Sequence, residues 1–162
     1  MPKKFPIIWL TGQPGSGKTT LSNAINSFIK SEGIENSKKI TTLQIDGDDL
    51  RGIMNNKNYS KEGRFKNIIL AQNIALFGQN KGFLVIVSLV APYIELREEL
   101  KSKTQVCEIY LHTSEKRGRE NFFSTDYVKP ENNFYSIDTT EKTIEESVNE
   151  ILTVYRSMAT MA

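Results

Sequence analysis

Residues 12–19 read Gly12-Gln13-Pro14-Gly15-Ser16-Gly17-Lys18-Thr19. Two glycines and a Lys-Thr pair at this spacing form the pattern of a phosphate-binding loop. The apolar run 7–10 precedes the loop, as in a strand that is buried on both faces. After the loop, apolar residues recur at steps of three and four, which predicts a helix that begins near Lys18. A strand, a glycine loop and a helix in this order predict a site for a nucleoside triphosphate.

The chemistry of the loop gives its parts different roles. Glycines allow successive backbone N–H groups to face one concave site, and the positive end of the following helix adds to their field. Lys18 is expected to reach the β and γ phosphates, and Thr19 to ligate Mg²⁺ through its hydroxyl. Without nucleotide, we expect the Lys18 ammonium to sit in solvent. The predicted ATP-binding residues are Gly12, Gln13, Pro14, Gly15, Ser16, Gly17, Lys18, Thr19 and Thr20.

Strand and helix patterns alternate along the rest of the chain. Apolar runs predict strands at 40–45, 83–87 and 106–111, and helical stripes mark 68–76, 93–101 and 144–155. We assign 57–66 to a polar loop and the cap of the last helix to 138–141. This alternation predicts a three-layer α/β/α P-loop NTPase fold with a mostly parallel five-stranded sheet, in a single domain over residues 1–162.

Composition limits the classes of function. The chain has 162 residues, of which 38% are hydrophobic, and its net charge is only +2. A protein held to nucleic acid by non-specific phosphate contacts would be more basic, so we expect no nucleic-acid partner. One cysteine, Cys107, and one histidine, His112, exclude an intrachain disulfide and a zinc site built mainly from these residues. No apolar run approaches the roughly 20 residues that a membrane span needs, so we expect a cytoplasmic protein without a membrane partner.

Acidic residues follow the second predicted strand, in Asp46-Gly47-Asp48-Asp49-Leu50-Arg51. At the carboxyl end of a parallel strand beside the phosphate loop, such carboxylates would face the crevice where ligands bind. One of them could accept a proton from an attacking hydroxyl, while another could hold Mg²⁺ through water. The same residues also fit an acidic turn at the end of a strand, and both interpretations stay open.

Taken together, these segments resemble the adenylylsulfate kinase family. The resemblance rests on the phosphate loop and on three further segments in the family's order and spacing: 46–51, then Tyr59-Ser60 with Arg64 and Asn67, then Ser88-Leu89-Val90-Ala91-Pro92-Tyr93 with Arg97. It implies a kinase that uses Mg²⁺ and ATP. Its acceptor would be a small anionic nucleotide, adenylylsulfate, and the γ-phosphoryl group would go to the ribose 3′-hydroxyl.

The resemblance also implies roles for single residues. Lys18, Asp46 and Asp48 would form the catalytic set, with Asp48 facing the acceptor hydroxyl and Asp46 supporting Mg²⁺ or the base. The acceptor would be held by Asp48, Arg51, Tyr59, Arg64, Asn67, Val90 and Ala91. Guanidinium forks suit tetrahedral anions, and an aromatic ring offers a face to a planar base. As alternatives, Arg64 and Arg97 could be solvated helix charges and Tyr59 a core residue.

The chain departs from the family in the segment after the fourth strand. The family has a long basic segment there, of the form Lys-Gly-Leu-Tyr and later Lys-x-Phe-Thr-Gly, which closes over both nucleotides. The segment of this chain is shorter, and either Arg117 or Arg119 could correspond to the family's arginine. The pair Phe122-Phe123 fits a shortened base-stacking lid or a helix end packed on the core. Gly63 stands where the family has an acid, and Ala91 where it has a serine.

Alternatives remain open for the acceptor and for the class of protein. A closing lid contributes to specificity, so its shortening leaves the acceptor base undecided between adenylylsulfate and cytidine diphosphoramidate, which one branch of the family phosphorylates in bacterial capsule synthesis. A GTP switch would need Asn-Lys-x-Asp after the third or fourth strand, whereas residues 56–59 lack the Asp and lie too early. An inactive nucleotide-binding scaffold is disfavoured because the charged residues of the site are intact. A homodimer is kept open as the assembly.

Overall fold

The computed structural model describes residues 2–32 and 39–160. Its strands are β1 (Ile7–Thr11), β2 (Thr42–Asp46), β3 (Leu84–Ser88), β4 (Val106–His112) and β5 (Phe134–Asp138). They form one sheet in the order β2-β3-β1-β4-β5, in which every neighbouring pair is parallel. The predicted five-stranded parallel sheet is confirmed.

Helices cover both faces of this sheet. They are α1 (Lys18–Glu32), α2 (Gly47–Ile53), α3 (Lys61–Asn80), α4 (Ile94–Lys103) and α5 (Ile144–Thr160). Side chains alternate along a strand, so Ile8 and Leu10 of β1 pack with α1 and α5, while Ile7 and Trp9 pack with α2, α3 and α4. The three-layer α/β/α architecture is therefore confirmed. No helix within the two described ranges is long and apolar enough to cross a membrane.

The strand order places the ligand crevice. β1 lies between β3 and β4, and the chain adds strands on opposite sides of β1 before and after α4. In open α/β sheets, ligands bind outside the carboxyl ends of the strands at such a switch point. The carboxyl ends of β1, β2 and β3 carry Thr11, Asp46 and Ser88.

Two local predictions are wrong. The polar segment 57–66 is a loop only as far as Ser60, because α3 begins at Lys61 and the Ser60 hydroxyl accepts a hydrogen bond from the Gly63 N–H. The cap of α5 lies at Thr143 rather than within 138–141. The Thr143 hydroxyl accepts from the Glu146 N–H, and the Glu146 carboxylate accepts from the Thr143 N–H, which is a capping box.

Candidate active site

A cleft of about 1320 Å³ opens at the carboxyl ends of the strands. The phosphate loop, the segment after β2, the first turns of α3, the segment after β3 and the segment between β4 and β5 all contribute to its wall. Most of the sequence-predicted site residues meet there: Pro14, Gly15, Gly17, Lys18, Thr19, Thr20, Asp46, Asp48, Arg51, Tyr59, Arg64, Asn67, Val90 and Ala91. The other three, Gly12, Gln13 and Ser16, lie in the same loop but not on the cleft wall.

The first glycine of the phosphate loop is required by close packing. Gly12 has a φ of 153°, and a Cβ at this position would lie 2.3 Å from the Leu111 carbonyl oxygen of β4. Any side chain would push the loop off the sheet, so glycine alone allows β1 to turn directly into the loop. The loop then closes with a 3.2 Å hydrogen bond from the Ser16 N–H to the Gln13 carbonyl and runs into α1.

Lys18 is buried in the loop, which contradicts the expectation that its ammonium sits in solvent. Its exposed fraction is 9%, and Nζ donates to the Gln13 carbonyl at 2.9 Å and to Ser16 Oγ at 3.4 Å. Burial lowers the pKa of Lys18 to about 8, although the charges of Asp46 and Asp48 oppose this shift. The loop folds around its own lysine, so the ammonium is held in position before a nucleotide arrives.

The carboxylate of Asp46 is fixed by four donors. Oδ2 accepts from the hydroxyls of Thr19 and Ser88, each at 2.8 Å. Oδ1 accepts from the backbone N–H groups of Asp48 at 3.0 Å and Asp49 at 3.4 Å, which makes Asp46 the N-cap of α2. The segment that also fitted an acidic turn is thus the capped start of a helix.

Asp48 differs from Asp46 in its freedom. It lies on the cleft wall and is exposed, and its carboxylate accepts no hydrogen bond from any residue in the described parts of the chain. Its charge is close enough to Lys18 to raise the pKa of that lysine. The two aspartates therefore offer one immobile carboxylate and one that is available to a ligand.

The oxygens at the junction of loop and sheet suit a magnesium ion. The Thr19 hydroxyl gives its hydrogen to Asp46, which leaves the oxygen lone pairs of Thr19 available. Mg²⁺ takes oxygen ligands, usually from one or two protein groups together with substrate phosphates. The donor set present here fits that requirement.

Arg51 and Tyr59 form a stacked pair at the rim. The Arg51 guanidinium carbon lies 4.3 Å from the centroid of the Tyr59 ring, and Nη1 donates to the carbonyls of Asn56 at 3.2 Å and Asn58 at 3.0 Å. Tyr59 is 63% exposed. Its interpretation as a core residue is therefore wrong, and its side chain contributes to the cleft wall.

Arg64 is half-buried and already has an anionic partner. Nη1 lies 3.1 Å from Asp126 Oδ1 and 2.9 Å from Ser124 Oγ, and the Ser124 hydroxyl donates to Asp126 at 2.5 Å. The Ser124 hydrogen bond is the main reason why the pKa of Asp126 is lowered. Arg64 is thus not a solvated helix charge. The sequence did not reveal Asp126 or Ser124 because their partner lies about 60 positions earlier in the chain.

Two further residues in the first turns of α3, Gly63 and Asn67, flank Arg64 in the chain. Asn67 is buried, and its Oδ1 has no hydrogen-bond partner among the residues that the structure describes. A buried acceptor of this kind is costly unless a ligand completes it. A Cβ at Gly63 would lie 2.1 Å from the Asn58 carbonyl oxygen, which explains why no acidic residue occupies this position.

The segment 113–133 lies against the phosphate loop. The Gln13 amide and the Ser124 backbone exchange two hydrogen bonds, each of 2.9 Å. Arg117 donates to the Gly15 carbonyl at 3.2 Å. Arg119 packs next to Gly15, and its positive charge contributes to the lowered pKa of Lys18. Phe122 and Phe123 line the cleft and are 67% and 45% exposed, so their interpretation as a helix end packed on the core is wrong.

A second, smaller pocket of about 170 Å³ adjoins the phosphate loop. Gly17, Thr20 and Leu21 contribute one wall, and the loop after β5 contributes the other. Arg117 bridges them, because it donates to the hydroxyl and the carbonyl of Thr139 at 3.1 Å each. The sequence contained a signal for this pocket, since Thr139 follows a strand at the carboxyl edge of the sheet. The other lining residues are Lys142, Thr143, Ile144 and Ser147.

Arg97 is the one quoted arginine outside the cleft wall. It is 2% exposed and forms a 2.9 Å ion pair with Glu108, which is equally buried. Its interpretation as a solvated helix charge is therefore wrong.

Comparison with known proteins identifies relatives over most of the chain. Residues 4–132 match the family model described as adenylylsulphate kinase. The adenylyl-sulfate kinase of Staphylococcus epidermidis is 32% identical over 92% of this chain and 83% of its own length. The cytidine diphosphoramidate kinase of Campylobacter jejuni is 29% identical over 82% of this chain and 77% of its own length.

Solved structures show the same fold. The Mycobacterium tuberculosis APS kinase CysC, solved in complex with AMPPNP and APS, superposes with a TM-score of 0.78. The superposition covers 94% of this chain and 98% of the other, at 20% sequence identity. At this identity the likeness establishes the common architecture of the two chains.

Proposed function

The chain belongs to the adenylylsulphate kinase family, and from this membership we propose that it transfers the γ-phosphoryl group of ATP to the ribose 3′-hydroxyl of an anionic nucleotide. Membership makes it a kinase, which confirms the predicted phosphotransferase and disfavours a GTP switch or an inactive scaffold. Adenylylsulfate is the first candidate acceptor. The observation that carries the proposal is the meeting of Lys18, two aspartates and an arginine-bearing wall in a single cleft.

The donor side of the proposed site is built from the phosphate loop. The β and γ phosphates of ATP would lie against the backbone N–H groups at the start of α1, where the helix end favours negative charge. The buried Lys18 ammonium would stabilise the charge that develops on the transferred group. The adjoining 170 Å³ pocket, with Arg117 over it, would take the base of ATP.

We propose a magnesium site at the junction of the loop and β2. Thr19 would be its direct protein ligand, and Asp46 would orient the Thr19 hydroxyl. Bound there, Mg²⁺ would neutralise charge between the β and γ phosphates. Because all four acceptor positions of Asp46 are filled by Thr19, Ser88, Asp48 and Asp49, we favour this indirect role for its carboxylate over direct ligation.

The acceptor side of the proposed site faces the free carboxylate. Asp48 would accept the proton of the 3′-hydroxyl, since it lies on the cleft wall and its carboxylate has no hydrogen-bond partner within residues 2–32 and 39–160. Arg51, Arg64, Asn67 and the backbone of Val90 and Ala91 would hold the anionic part of the acceptor, and Tyr59 would stack on its base. In phosphoryl transfer most of the catalytic effect comes from such positioning and charge neutralisation.

Cytidine diphosphoramidate is a second candidate acceptor. One observation favours it: the chain matches the Campylobacter cytidine diphosphoramidate kinase over 82% of its length. The short segment 113–133 presents Phe122 and Phe123 to the cleft as exposed rings. Aromatic rings at this position would stack on adenine or on cytosine. The identity of the acceptor decides whether the enzyme acts in sulfate assimilation or in capsule synthesis. In both cases we propose a cytoplasmic enzyme, since ATP is the donor, and a homodimer stays an open prediction.

A coupled ADP-release assay tests the proposal. The purified chain is supplied with ATP, Mg²⁺ and, in separate reactions, adenylylsulfate, cytidine diphosphoramidate or CDP, and the product is identified by mass and by the position of its new phosphate. We expect acceptor-dependent ADP release with a 3′-phosphorylated product for one of the first two. The matched control is Lys18→Ala, which should release no ADP. Acceptor-independent ATP hydrolysis alone, or phosphorylation elsewhere than the 3′-position, would refute the proposal.

A further inference from the structure

Three consecutive backbone carbonyls in the segment after β3 accept hydrogen bonds from residues that are not on the cleft wall. The Val90 carbonyl accepts from the Thr11 hydroxyl at 2.8 Å, and the Pro92 carbonyl accepts from the Val128 N–H at 2.9 Å. The Ala91 carbonyl accepts from the Arg97 guanidinium. Each holding group comes from a different element, so the conformation of 90–92 is set by the surrounding fold and not by its own sequence.

The backbone at Ala91 needs this support. Ala91 has a φ of 43°, in the left-handed region that a residue with a Cβ seldom occupies. Such a conformation persists only where neighbouring groups over-determine it. The hydrogen bonds on the carbonyls of Val90, Ala91 and Pro92 are the groups that do so.

Arg97 links this segment to the end of the segment 113–133. Its Nη1 donates to the Ala91 carbonyl and its Nη2 to the Val128 carbonyl, while its Nε is paired with Glu108. Its guanidinium also lies 5.4 Å from the centroid of the Tyr127 ring, and the Tyr127 hydroxyl reaches Thr11 at 2.9 Å. The planar fork of one buried arginine thus ties two segments of the cleft to the sheet.

Fixed carbonyls also direct the amides. A trans peptide holds its C=O and N–H in opposite directions, so the Thr11 hydroxyl on the Val90 carbonyl turns the Ala91 N–H the other way. Neither the Val90 nor the Ala91 N–H bonds to another residue in the part of the chain that the structure describes, and both residues line the cleft. These two donors are therefore available to an oxyanion in the cleft.

We propose that Arg97 is a positioning residue for the Ala91 amide. Arg97 holds the Ala91 carbonyl and Thr11 holds the Val90 carbonyl, so together they fix the left-handed backbone of Ala91 and keep its N–H aimed at the anionic acceptor. This proposal rests on the proposed function, because it assigns this amide to the acceptor and not to ATP. Stability alone does not account for the residue, since a buried ion pair is often replaceable by apolar side chains without loss. What an apolar residue could not supply is the fork that holds Ala91 and Val128 together.

The kinetic test uses Arg97→Lys with Lys101→Met as its matched control. Arg97→Lys keeps a cation beside Glu108 but loses the fork. Lys101 is the other cation on Glu108, with its Nζ 2.5 Å from Glu108 Oε2. Lys101→Met removes this cation and the hydrogen bond to the Asn132 carbonyl, and leaves the hydrogen bonds to the carbonyls of Ala91 and Val128 in place. We expect Arg97→Lys to raise the acceptor KM about tenfold to a hundredfold while the ATP KM changes less than about twofold. Lys101→Met should lower the melting temperature and leave both KM values within about twofold.

Two further measurements keep the test decisive. Thr11→Val, which removes the hydroxyl on the Val90 carbonyl at nearly constant volume, should raise the acceptor KM in the same selective way even if Arg97→Lys folds poorly. In the free protein, NMR exchange of the Val128 amide should be about tenfold faster in Arg97→Lys and unchanged in Lys101→Met. If the wild type phosphorylates no nucleotide, the proposed function fails. The exchange rates of the Val128 amide then test by themselves whether Arg97 holds the segment 90–92 in position. Equal KM changes for ATP and acceptor, or unchanged Val128 exchange, would overturn the positioning role.

Discussion

The hydroxyl of Thr19 donates a 2.8 Å hydrogen bond to Asp46. This contact joins the first turn of α1 to the end of β2, the two places to which the sequence assigns the metal. It is formed by the chain alone, so the oxygens expected around Mg²⁺ are already oriented before ligands bind. The same carboxylate caps α2, and the metal site and the helix that carries Asp48 therefore depend on one side chain.

Asp46→Asn should weaken both the fold and the use of magnesium. An amide keeps one oxygen for the cap, but its nitrogen cannot accept the hydrogen bonds that the Thr19 and Ser88 hydroxyls donate to the carboxylate. Loss of a hydrogen bond to a charged group costs about 1.5 to 3 kcal/mol. We expect a lower free energy of unfolding, and a kinase rate that falls at low Mg²⁺ and recovers partly at high Mg²⁺. Urea unfolding and single-turnover rates across a Mg²⁺ titration measure these effects. If the rate of Asp46→Asn does not depend on the Mg²⁺ concentration, Asp46 is not part of the metal site.

Lys18→Met should abolish activity while stabilising the nucleotide-free protein. The buried ammonium is costly, as its pKa of about 8 shows, and methionine fills a similar volume without charge. Part of the gain is offset by the lost hydrogen bonds to Gln13 and Ser16, so we expect a net gain of about 1 kcal/mol, which corresponds to a melting temperature about 2 to 4 °C higher. Calorimetry without nucleotide provides the measurement. A lower melting temperature would contradict the claim that the loop holds its lysine at a cost.

Asp126→Asn should improve the binding of an anionic acceptor. Asp126 neutralises Arg64 in the free protein, so an acceptor anion has to compete with it for the guanidinium. Because the pair is partly exposed, it contributes at most about 1 kcal/mol, and the acceptor KM should fall by no more than about fivefold. Arg64→Ala serves as the control and should raise that KM. A higher KM in Asp126→Asn would mean that Asp126 instead orients Arg64 for the acceptor.

The phosphate loop, the sheet and the residues around the cleft could be predicted because their signals are local. Lys18, Thr19 and the glycines fall within eight consecutive residues, and the apolar runs of β1 and β3 are continuous. The start of α3 gave no such signal, because its first turns bury Gly63 and Asn67 and not an apolar stripe. The cap of α5 was present in the sequence as Thr143 and Glu146, a spacing that predicts a helix start directly.

Burial of charged residues could not be predicted in the same way. Lys18 is enclosed by its own loop, and Arg97 is enclosed because Glu108 of β4 and the carbonyls of two distant segments meet at it. Such partners come together only through the topology of the sheet. The expectation for an isolated charged residue is exposure, and it fails where several acceptors converge on one donor.

Cys107 should behave as an inert core thiol and make the protein less stable at alkaline pH. Burial raises its pKa from 9.0 to about 12. The unfolded chain releases this proton above about pH 9 while the folded chain keeps it, so the contribution to stability falls as pH rises from 9 towards 12, at about 1.4 kcal/mol per pH unit. The difference in unfolding free energy between the wild type and Cys107→Ala, followed over this range, isolates the effect. Rapid labelling of the native thiol at pH 8 would show that Cys107 is not enclosed.

Asp48→Asn should lower kcat with little effect on stability or acceptor binding. Its carboxylate has no internal hydrogen bond in the described parts of the chain, so the fold does not depend on it. An amide can still bond to the 3′-hydroxyl but cannot take its proton, and loss of a general base costs about 10² to 10⁴ in rate. Phosphoryl transfer has a loose transition state, which places the expected loss near 10². Single-turnover rates across the same Mg²⁺ titration separate this variant from Asp46→Asn, because raised Mg²⁺ should not rescue it. If Mg²⁺ rescues Asp48→Asn alone, the two aspartates exchange roles, and the carboxylate that is fixed by Thr19 becomes the base.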